Sequence, residues 1–252
     1  MKKLVLSLFT LLLASTILVP NVKVDAAENE GLKQISSVES YVEYLENDDS
    51  EEAKETLDEF LSLSEEEQKL YLEALKPENF LKINSEAQKA IDEEIEVELE
   101  SGQKVDVEFI SKQINEVGFN NRLITPMATY KITTPWAVCE MEILGVTVSK
   151  YQIRMIYQSN GTSSSSVALQ VYDIEKSHKN YNPSIWTTNV GYTNKYVSGG
   201  YGYGGYQWTL SSTGSLGFLS ANLDLYIKAK PSVKYWKAVS SRDDWASSWR
   251  KF

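Results

Sequence analysis

The chain has 252 residues, of which 24% are charged and 42% are hydrophobic, and its formal net charge at pH 7 is −10. This length and composition are typical of a globular protein with one or two domains. A single cysteine, Cys139, excludes an internal disulfide and therefore a disulfide-stabilised toxin scaffold.

Residues 1–26 have the pattern of a secretory signal peptide. Lys2 and Lys3 precede an almost unbroken apolar run at 4–19, and small residues follow. We expect cleavage after Ala26 or Ala27, which predicts a secreted protein, and a signal of this kind without disulfides suggests a bacterial source. A retained N-terminal anchor is the alternative, because the apolar run approaches the ~20 residues of a spanning helix.

Charge is distributed unevenly along the remaining chain. Glu28–Thr125 contains 27 acidic and 9 basic residues, whereas the chain from Pro126 onward contains 7 acidic and 13 basic residues. Such asymmetry is typical of many exported pro-proteins, in which an acidic propeptide pairs with a basic part until it is removed. Two stable domains without processing are the alternative.

Residues 27–119 are predicted to be an acidic helical region, a possible propeptide. Polar residues followed three positions later by glutamate indicate three capping boxes, before apolar residues at helical spacing. The boxes begin at Ser36, Asp49 and Ser64. We expect Pro77 to end the third helix and a fourth helix to extend from Ser85 to about Glu94.

The pattern then changes from helical to alternating. Residues 97–109 alternate around Ser101-Gly102, which predicts a β-hairpin. The spacing of Ile110, Ile114 and Val117 predicts one further short helix. Residues 120–127 are predicted to be a linker because they contain adjacent asparagines and a Thr-Pro pair.

Residues 128–240 are predicted to form the main β domain. The clearest signal is Leu219–Ala229, where apolar and polar residues alternate, as in a strand with one buried face. Many short strands at this spacing indicate an antiparallel sandwich or a partly closed barrel. The fold class is therefore predicted to be α+β, with a small helical N-terminal region.

Residues 241–252 are predicted to be an aromatic, basic C-terminal tail. Trp245, Trp249 and Phe252 are four and three residues apart, a spacing that would place them on one face of a helix. This face could dock on the sheet or on lipid, and we favour the sheet.

The sequence offers little for catalysis. The only histidine, His178, is expected in a loop near Asp173, no Gly-x-Ser-x-Gly motif is present, and Cys139 lies on an apolar strand face. Glu140 and Glu142 would have Cα atoms ~6.5–7 Å apart on one strand face. Such a pair could hydrolyse glycosides, but a solvated strand face is the favoured interpretation. We therefore predict no enzyme, no metal site and no cofactor.

Aromatic residues are concentrated after Pro126, with all six tryptophans and twelve of the fifteen tyrosines. They could form core and cross-strand pairs, a surface that binds carbohydrate, or a membrane-contacting or pore-forming surface. The glycine–tyrosine run at 199–206 is expected to be a loop that presents rings. The candidate contact residues are Tyr201, Tyr203, Tyr206, Trp208, Trp245 and Trp249.

Two functional hypotheses follow. The leading one is a secreted, non-enzymatic, antibacterial or bacteriocin-like pro-protein, whose cationic β domain acts on cell envelopes while the acidic region pairs with it and restrains it. The alternative is a secreted module that binds cell-wall polysaccharide or another carbohydrate. The expected partner is a cell envelope, through anionic lipid or wall polysaccharide. Nucleic acid is not expected, because no dense Lys/Arg track is present.

Overall fold

A computed structural model describes residues 37–114, 122–124, 129–214, 217–240, 245–246 and 248–252. The predicted signal peptide and its cleavage residues, Ala26 and Ala27, lie outside this part of the chain, as does most of the predicted linker. Leu32–Phe252 forms one compact unit.

The N-terminal part of the described chain contains four short helices, and the capping pattern predicts the first three. They are α1 (Val38–Glu46), α2 (Glu51–Ser62), α3 (Glu65–Ala74) and α4 (Pro77–Ala87), and a 3₁₀ turn at Gln88–Ala90 follows. The predicted capping box at Ser64 is confirmed, because its hydroxyl accepts from the Glu67 amide while the Glu67 carboxylate accepts from the Ser64 amide.

The other two predicted starts are wrong by one residue. The caps are Ser37 and Ser50, whose hydroxyls accept the backbone N–H groups of Ser40 and Ala53. Each serine stands next to the residue that the spacing favoured, and the serine hydroxyl makes the capping hydrogen bond.

The prediction of a fourth helix from Ser85 to Glu94 is also wrong. Pro77 occupies the first turn of α4 and so starts that helix, a position where a missing backbone N–H costs nothing. The helix buries Phe80 and Ile83 completely and ends at Ala87.

The strands of the described chain form two antiparallel sheets, which are sandwich-like and not closed into a barrel. The α+β prediction is confirmed at this level. The first sheet contains β1 (Glu94–Glu98), β2 (Lys104–Ile114), β3 (Arg122–Ile124), β4 (Thr129–Thr133), β5 (Trp136–Ile143), β6 (Val146–Ser159) and β7 (Ala168–Asn180). Its order is β1-β2-β5-β6-β4-β3, and β7 pairs with the other edge of β6.

The second sheet consists of the strands that follow β7. They are β8 (Trp186–Tyr192), β9 (Tyr196–Ser198), β10 (Tyr201–Gly214), β11 (Gly217–Lys230), β12 (Val233–Ser240), β13 (Trp245–Ala246) and β14 (Arg250–Lys251). Its order is β13-β12-β11-β10-β8, while β9 pairs with β10 and β14 pairs with β12.

At three places the structure contains a paired strand where the sequence pattern predicted a helix or a loop. The helix predicted around Ile110 and Ile114 is wrong, because β2 continues to Ile114 and pairs with β5 as far as Trp136; Val117 lies outside the described residues. The helical tail is wrong, because β13 and β14 are strands that pair with β12. His178 lies in β7 opposite Tyr151 and not in a loop.

The strand predicted most strongly is confirmed. β11 includes the whole alternating segment and lies between β10 and β12. Leu223, Leu225, Ile227 and Ala229 are fully buried. The apolar face of this strand is therefore covered on the inside of the sandwich, as the alternation requires.

Helices and sheets share one hydrophobic core. Tyr41, Phe60 and Tyr71 from three helices form a ring cluster with centroids 4.8–5.5 Å apart. The Tyr41 hydroxyl shares a 2.9 Å hydrogen bond with the Tyr71 hydroxyl and donates to the carbonyl of Tyr181, beyond β7. The helical part is thus built into the same core as the sheets.

Candidate functional site

The outer side of the second sheet presents aromatic and lysine side chains. Residues of β10 and β11 alternate, so that Trp208 and Leu225 point inward while Tyr203 and Lys228 point outward. We call the outward set the aromatic–lysine face. It comprises Tyr196, Tyr201, Tyr203, Tyr226, Lys228, Lys230, Tyr235, Lys237, Trp249 and Lys251.

Strand register arranges part of this face as one continuous row. Tyr196 of β9 pairs with Tyr203, Tyr203 pairs with Lys228, Lys228 with Tyr235, and Tyr235 with Lys251 of β14. The row crosses five strands, and neighbouring strands in a sheet are ~4.8 Å apart. Aromatic rings and ammonium groups are therefore close neighbours along it.

Three lysines of the face lie over rings. The Lys228 ammonium is 4.8 Å from the Tyr235 ring centroid and 4.9 Å from that of Trp249. Lys237 lies 5.3 Å from the same Trp249 ring, and Lys230 lies 5.0 Å from Tyr201. Each such contact contributes ~0.5–1 kcal/mol at an exposed site.

The lysines of the face form no ion pair with the carboxylates that the structure describes. Within the described part of the chain, no carboxylate lies within 4.0 Å of Lys228, Lys230 or Lys237. The rings orient the ammonium groups without neutralising them. The face therefore keeps a concentrated positive charge on an aromatic surface.

A cleft of about 360 Å³ opens at one side of this face. Tyr196 and Tyr203 stack in parallel, with centroids 4.9 Å apart and planes 4° apart, and Trp249 meets Tyr203 edge-on at 6.3 Å. Tyr196, Tyr203 and Trp249 form walls of the cleft. Tyr201 is tilted 56° from Tyr203, so these two rings do not form one flat platform. The lining residues are Thr193, Asn194, Tyr196, Tyr203, Gly204, Tyr226, Ile227, Lys237 and Trp249.

The glycine–tyrosine run is not the expected loop, because after a turn at Gly199 and Gly200 it continues as strand β10 from Tyr201 onward, where two glycines allow close packing. A Cβ on Gly204 would lie 2.7 Å from the Ile174 side chain on the inner side of the sheet. On the outer side, a Cβ on Gly205 would lie 2.7 Å from the Tyr226 ring and 2.4 Å from a backbone carbonyl oxygen. Both close approaches require a residue without a side chain.

Arg250, the residue after Trp249, fixes the C-terminal segment to the turn before β1. Its guanidinium pairs with the Asp92 carboxylate, before β1, and donates to the carbonyl of Ile91 at 3.4 Å. The Asp92 carboxylate also accepts from the backbone and hydroxyl of Ser111. This clasp joins the end of the chain to the acidic half and holds Trp249 at the cleft.

The structure separates the predicted contact residues. Tyr201, Tyr203 and Trp249 belong to the aromatic–lysine face. Tyr206 and Trp208 do not, because they are only 3% and 0% exposed and point into the core. Their inward direction follows from the same alternation that turns Tyr201 and Tyr203 outward. The side chain of Trp245 lies outside the described residues.

Sequence reasoning missed several members of the face. Tyr226 and Lys228 stand at the polar positions of the strongest strand pattern, and Tyr235 and Lys237 follow the same parity in β12. Alternation alone could have placed them on one outer face. The row across strands could not be inferred, because it depends on register.

Glu140 and Glu142 do not lie on the solvated strand face that the sequence favoured. They line a second cleft, of about 140 Å³, together with Glu59 of α2. Glu140 is 4% exposed and pairs with Lys112 and, at 3.1 Å, with Lys150. This cleft is smaller than the ~300–1,000 Å³ of typical small-molecule sites.

Glu142 has an unusual environment in this second cleft. Burial raises its pKa to about 7, and the nearby carboxylates of Glu59, Glu140 and Glu108 add to the effect, while Lys112 opposes it. The group is therefore partly protonated near neutral pH.

The remaining chemical candidates are in structural positions. His178 stacks on the Tyr151 ring at 6.3 Å, and its pKa is lowered by burial and by Lys176 and Lys179. Burial raises the pKa of the Cys139 thiol, which disfavours the reactive thiolate. Within the described ranges, no cluster of three His, Cys, Asp or Glu side chains could hold a metal ion. None of the helices described there is both long and apolar enough to cross a bilayer.

Comparisons with protein-family models, with curated proteins and with solved structures found no match to this chain.

Proposed function

We propose that this chain is an exported, non-catalytic protein that binds polysaccharide of a cell envelope through its aromatic–lysine face. The observation that supports this proposal most strongly is the row of three rings and two ammonium groups across five strands. A core needs none of these side chains, because the inner face of the same sheet is already filled.

The chemistry of the face suits a sugar polymer. Tyrosine and tryptophan offer an apolar ring surface for the C–H faces of a pyranose, and the tyrosine hydroxyls can bond to sugar hydroxyls. The lysines add directional donors and positive charge. Rings held by strand register lose little conformational freedom on binding, which favours affinity.

The pore-forming interpretation receives less support. The strand that would cross the membrane is β11, and its apolar face is buried between the sheets. Exposing that face would require opening the sandwich at its central strand.

The restrained-toxin interpretation also receives less support. It needs the acidic helices to cover the cationic face, but the residues that line the large cleft all lie beyond β7. The lysines over rings contact residues of β10, β11, β12 and the C-terminal segment. Moreover, the acidic half contributes β1 and β2 to the first sheet.

Co-sedimentation with purified, insoluble cell-wall polysaccharide tests the proposal. We expect the full mature chain to pellet with the polymer, and Tyr203→Ala to weaken binding about tenfold, equivalent to ~1.4 kcal/mol of stacking. The matched control is Tyr172→Ala, which removes an exposed tyrosine from β7 in the other sheet. Equal loss in both variants, or no pelleting of the native chain, would refute the proposal.

A further inference from the structure

We propose that the cleft beside Trp249 is a subsite for an acidic sugar, a pyranose that bears a carboxylate or a phosphate. This inference rests on the proposed function and specifies its ligand. It predicts that the protein prefers an anionic polysaccharide over a neutral one with the same backbone.

Positive charge converges on this cleft from two strands. Lys237 of β12 lines it, with its ammonium 5.0 Å from the Tyr226 ring and 5.3 Å from the Trp249 ring. Lys228 of β11 lies 4.9 Å from the same Trp249 ring. An anionic substituent in the cleft would therefore meet the Lys237 ammonium, while the Lys228 ammonium adds positive charge at the same tryptophan.

Asp224 is the acidic residue of the outer face closest to this charge along β11. Its carboxylate accepts from the Tyr226 hydroxyl at 3.4 Å and forms no ion pair within 4.0 Å with a described lysine. Burial raises its pKa, although Lys237 acts in the opposite direction. Asp224 does not line the cleft, so the described part of the lining contains a cation and no carboxylate.

A polar group for the sugar hydroxyls is also present. The Thr193 hydroxyl oxygen is buried in the wall of the cleft and has no hydrogen-bond partner. Its backbone N–H donates to the Gly205 carbonyl at 3.1 Å, which fixes the position of the side chain. The exposed amide of Asn194 stands beside it. Because the Thr193 oxygen is buried, the exposed Asn194 amide is the group that a sugar hydroxyl in the cleft can reach.

The cleft has room for one substituted sugar residue. Its volume of about 360 Å³ lies within the ~300–1,000 Å³ range of ligand sites. The parallel pair of Tyr196 and Tyr203 forms one wall and Trp249 another. Apolar walls with a cation and an exposed amide favour an amphipathic ring with one negative charge.

Matched polymers test the inference. The native full-length mature chain is titrated with polygalacturonate and with its fully methyl-esterified form, which has the same backbone without the charge. A phosphomannan and the same mannan after phosphate removal form a second pair, so that carboxylate and phosphate are compared. We expect at least one acidic polymer to bind about tenfold more tightly than its neutral partner, with a preference that decreases as NaCl is raised.

A lysine variant assigns that preference to the cleft. Lys237→Met keeps most of the aliphatic stem and removes the charge, and we expect it to weaken acidic-polymer binding about fivefold and neutral-polymer binding by clearly less, so that the preference for the acidic polymer decreases. Lys131→Met removes an exposed lysine from β4 in the other sheet and should change neither. Near-UV circular dichroism verifies that both variants are folded.

The outcomes distinguish the inference from the proposed function. If acidic and neutral polymers bind equally, or if Lys237→Met retains the full preference, the acidic-sugar subsite is refuted while polysaccharide binding stands. If no polymer and no purified wall binds the native chain, the proposed function is refuted together with the subsite.

Discussion

At the scale of single residues, Glu142 makes the clearest physical prediction. Its ordinary pKa of 4.5 is raised to about 7 in the folded protein, mainly by burial against α2 and β6. The fold therefore favours the protonated carboxyl. Glu142 stabilises the protein fully below pH ~4.5, and this contribution is lost as the pH rises through about 7.

Glu142→Gln should reduce the loss of stability at alkaline pH. Since the carboxyl is only half buried, solvent screening limits the effect to about 1–2 kcal/mol between pH 5 and pH 8.5. Urea unfolding of native and variant protein at the two pH values measures it. Glu94→Gln, at an exposed position of β1, is the control. An unchanged pH dependence in Glu142→Gln would contradict the assignment.

At the scale of elements, the Asp92–Arg250 clasp links the C-terminal strand to the candidate site. Asp92 has a positive φ of 62°, a conformation that asparagine also tolerates. Asp92→Asn should therefore keep the turn before β1 and weaken the ion pair that holds Trp249 at the cleft. We expect polysaccharide binding to weaken about threefold and the tryptophan fluorescence to shift.

The control for the clasp is a second ion pair that touches no part of the face. Glu96→Gln removes the partner of Lys104, 2.7 Å away, within the β1–β2 hairpin. This variant should bind polysaccharide like the native chain. If Asp92→Asn does so too, the clasp does not position Trp249.

Sequence patterns identified elements when the decisive interactions were local. Ser64 and Glu67 lie three residues apart, and β11 alternates over its whole length, so each feature could be predicted without knowledge of the fold. The end of β2 and the strands of the tail could not, because pairing with β5 and β12 determines them. Tyr201 and Trp249 were predicted as site residues because they are aromatic. Alternation could also have placed Lys228 on the outer face, but its position between Tyr203 and Tyr235 depends on the register.

At the scale of the whole molecule, the two halves of the chain depend on each other. β2 of the acidic half pairs with β5 along eight positions, from Val107↔Ile143 to Ile114↔Trp136. Tyr41 of α1 reaches across to the Tyr181 carbonyl, and Arg250 reaches back to Asp92. The uneven distribution of charge along the sequence suggested two separable parts. Charge alone does not indicate that strands from both parts pair in one sheet.

This dependence predicts the result of cutting the chain between residues 120 and 126. The two fragments should stay together, because separation would break the β2–β5 pairing and expose the shared core. Size-exclusion chromatography after a single engineered protease cut measures this, with intact mass to verify cleavage. A folded fragment beginning near Pro126 that elutes alone would revive the propeptide interpretation.

Footprinting of the full mature chain by hydroxyl radicals, with and without bound envelope polysaccharide, tests the central claim most directly. The account predicts protection of Tyr196, Tyr203 and Trp249, and unchanged reactivity of Tyr172, which is exposed on the other sheet. Protection of Tyr172 with none at Tyr203 or Trp249 would show that the aromatic–lysine face is not the binding surface.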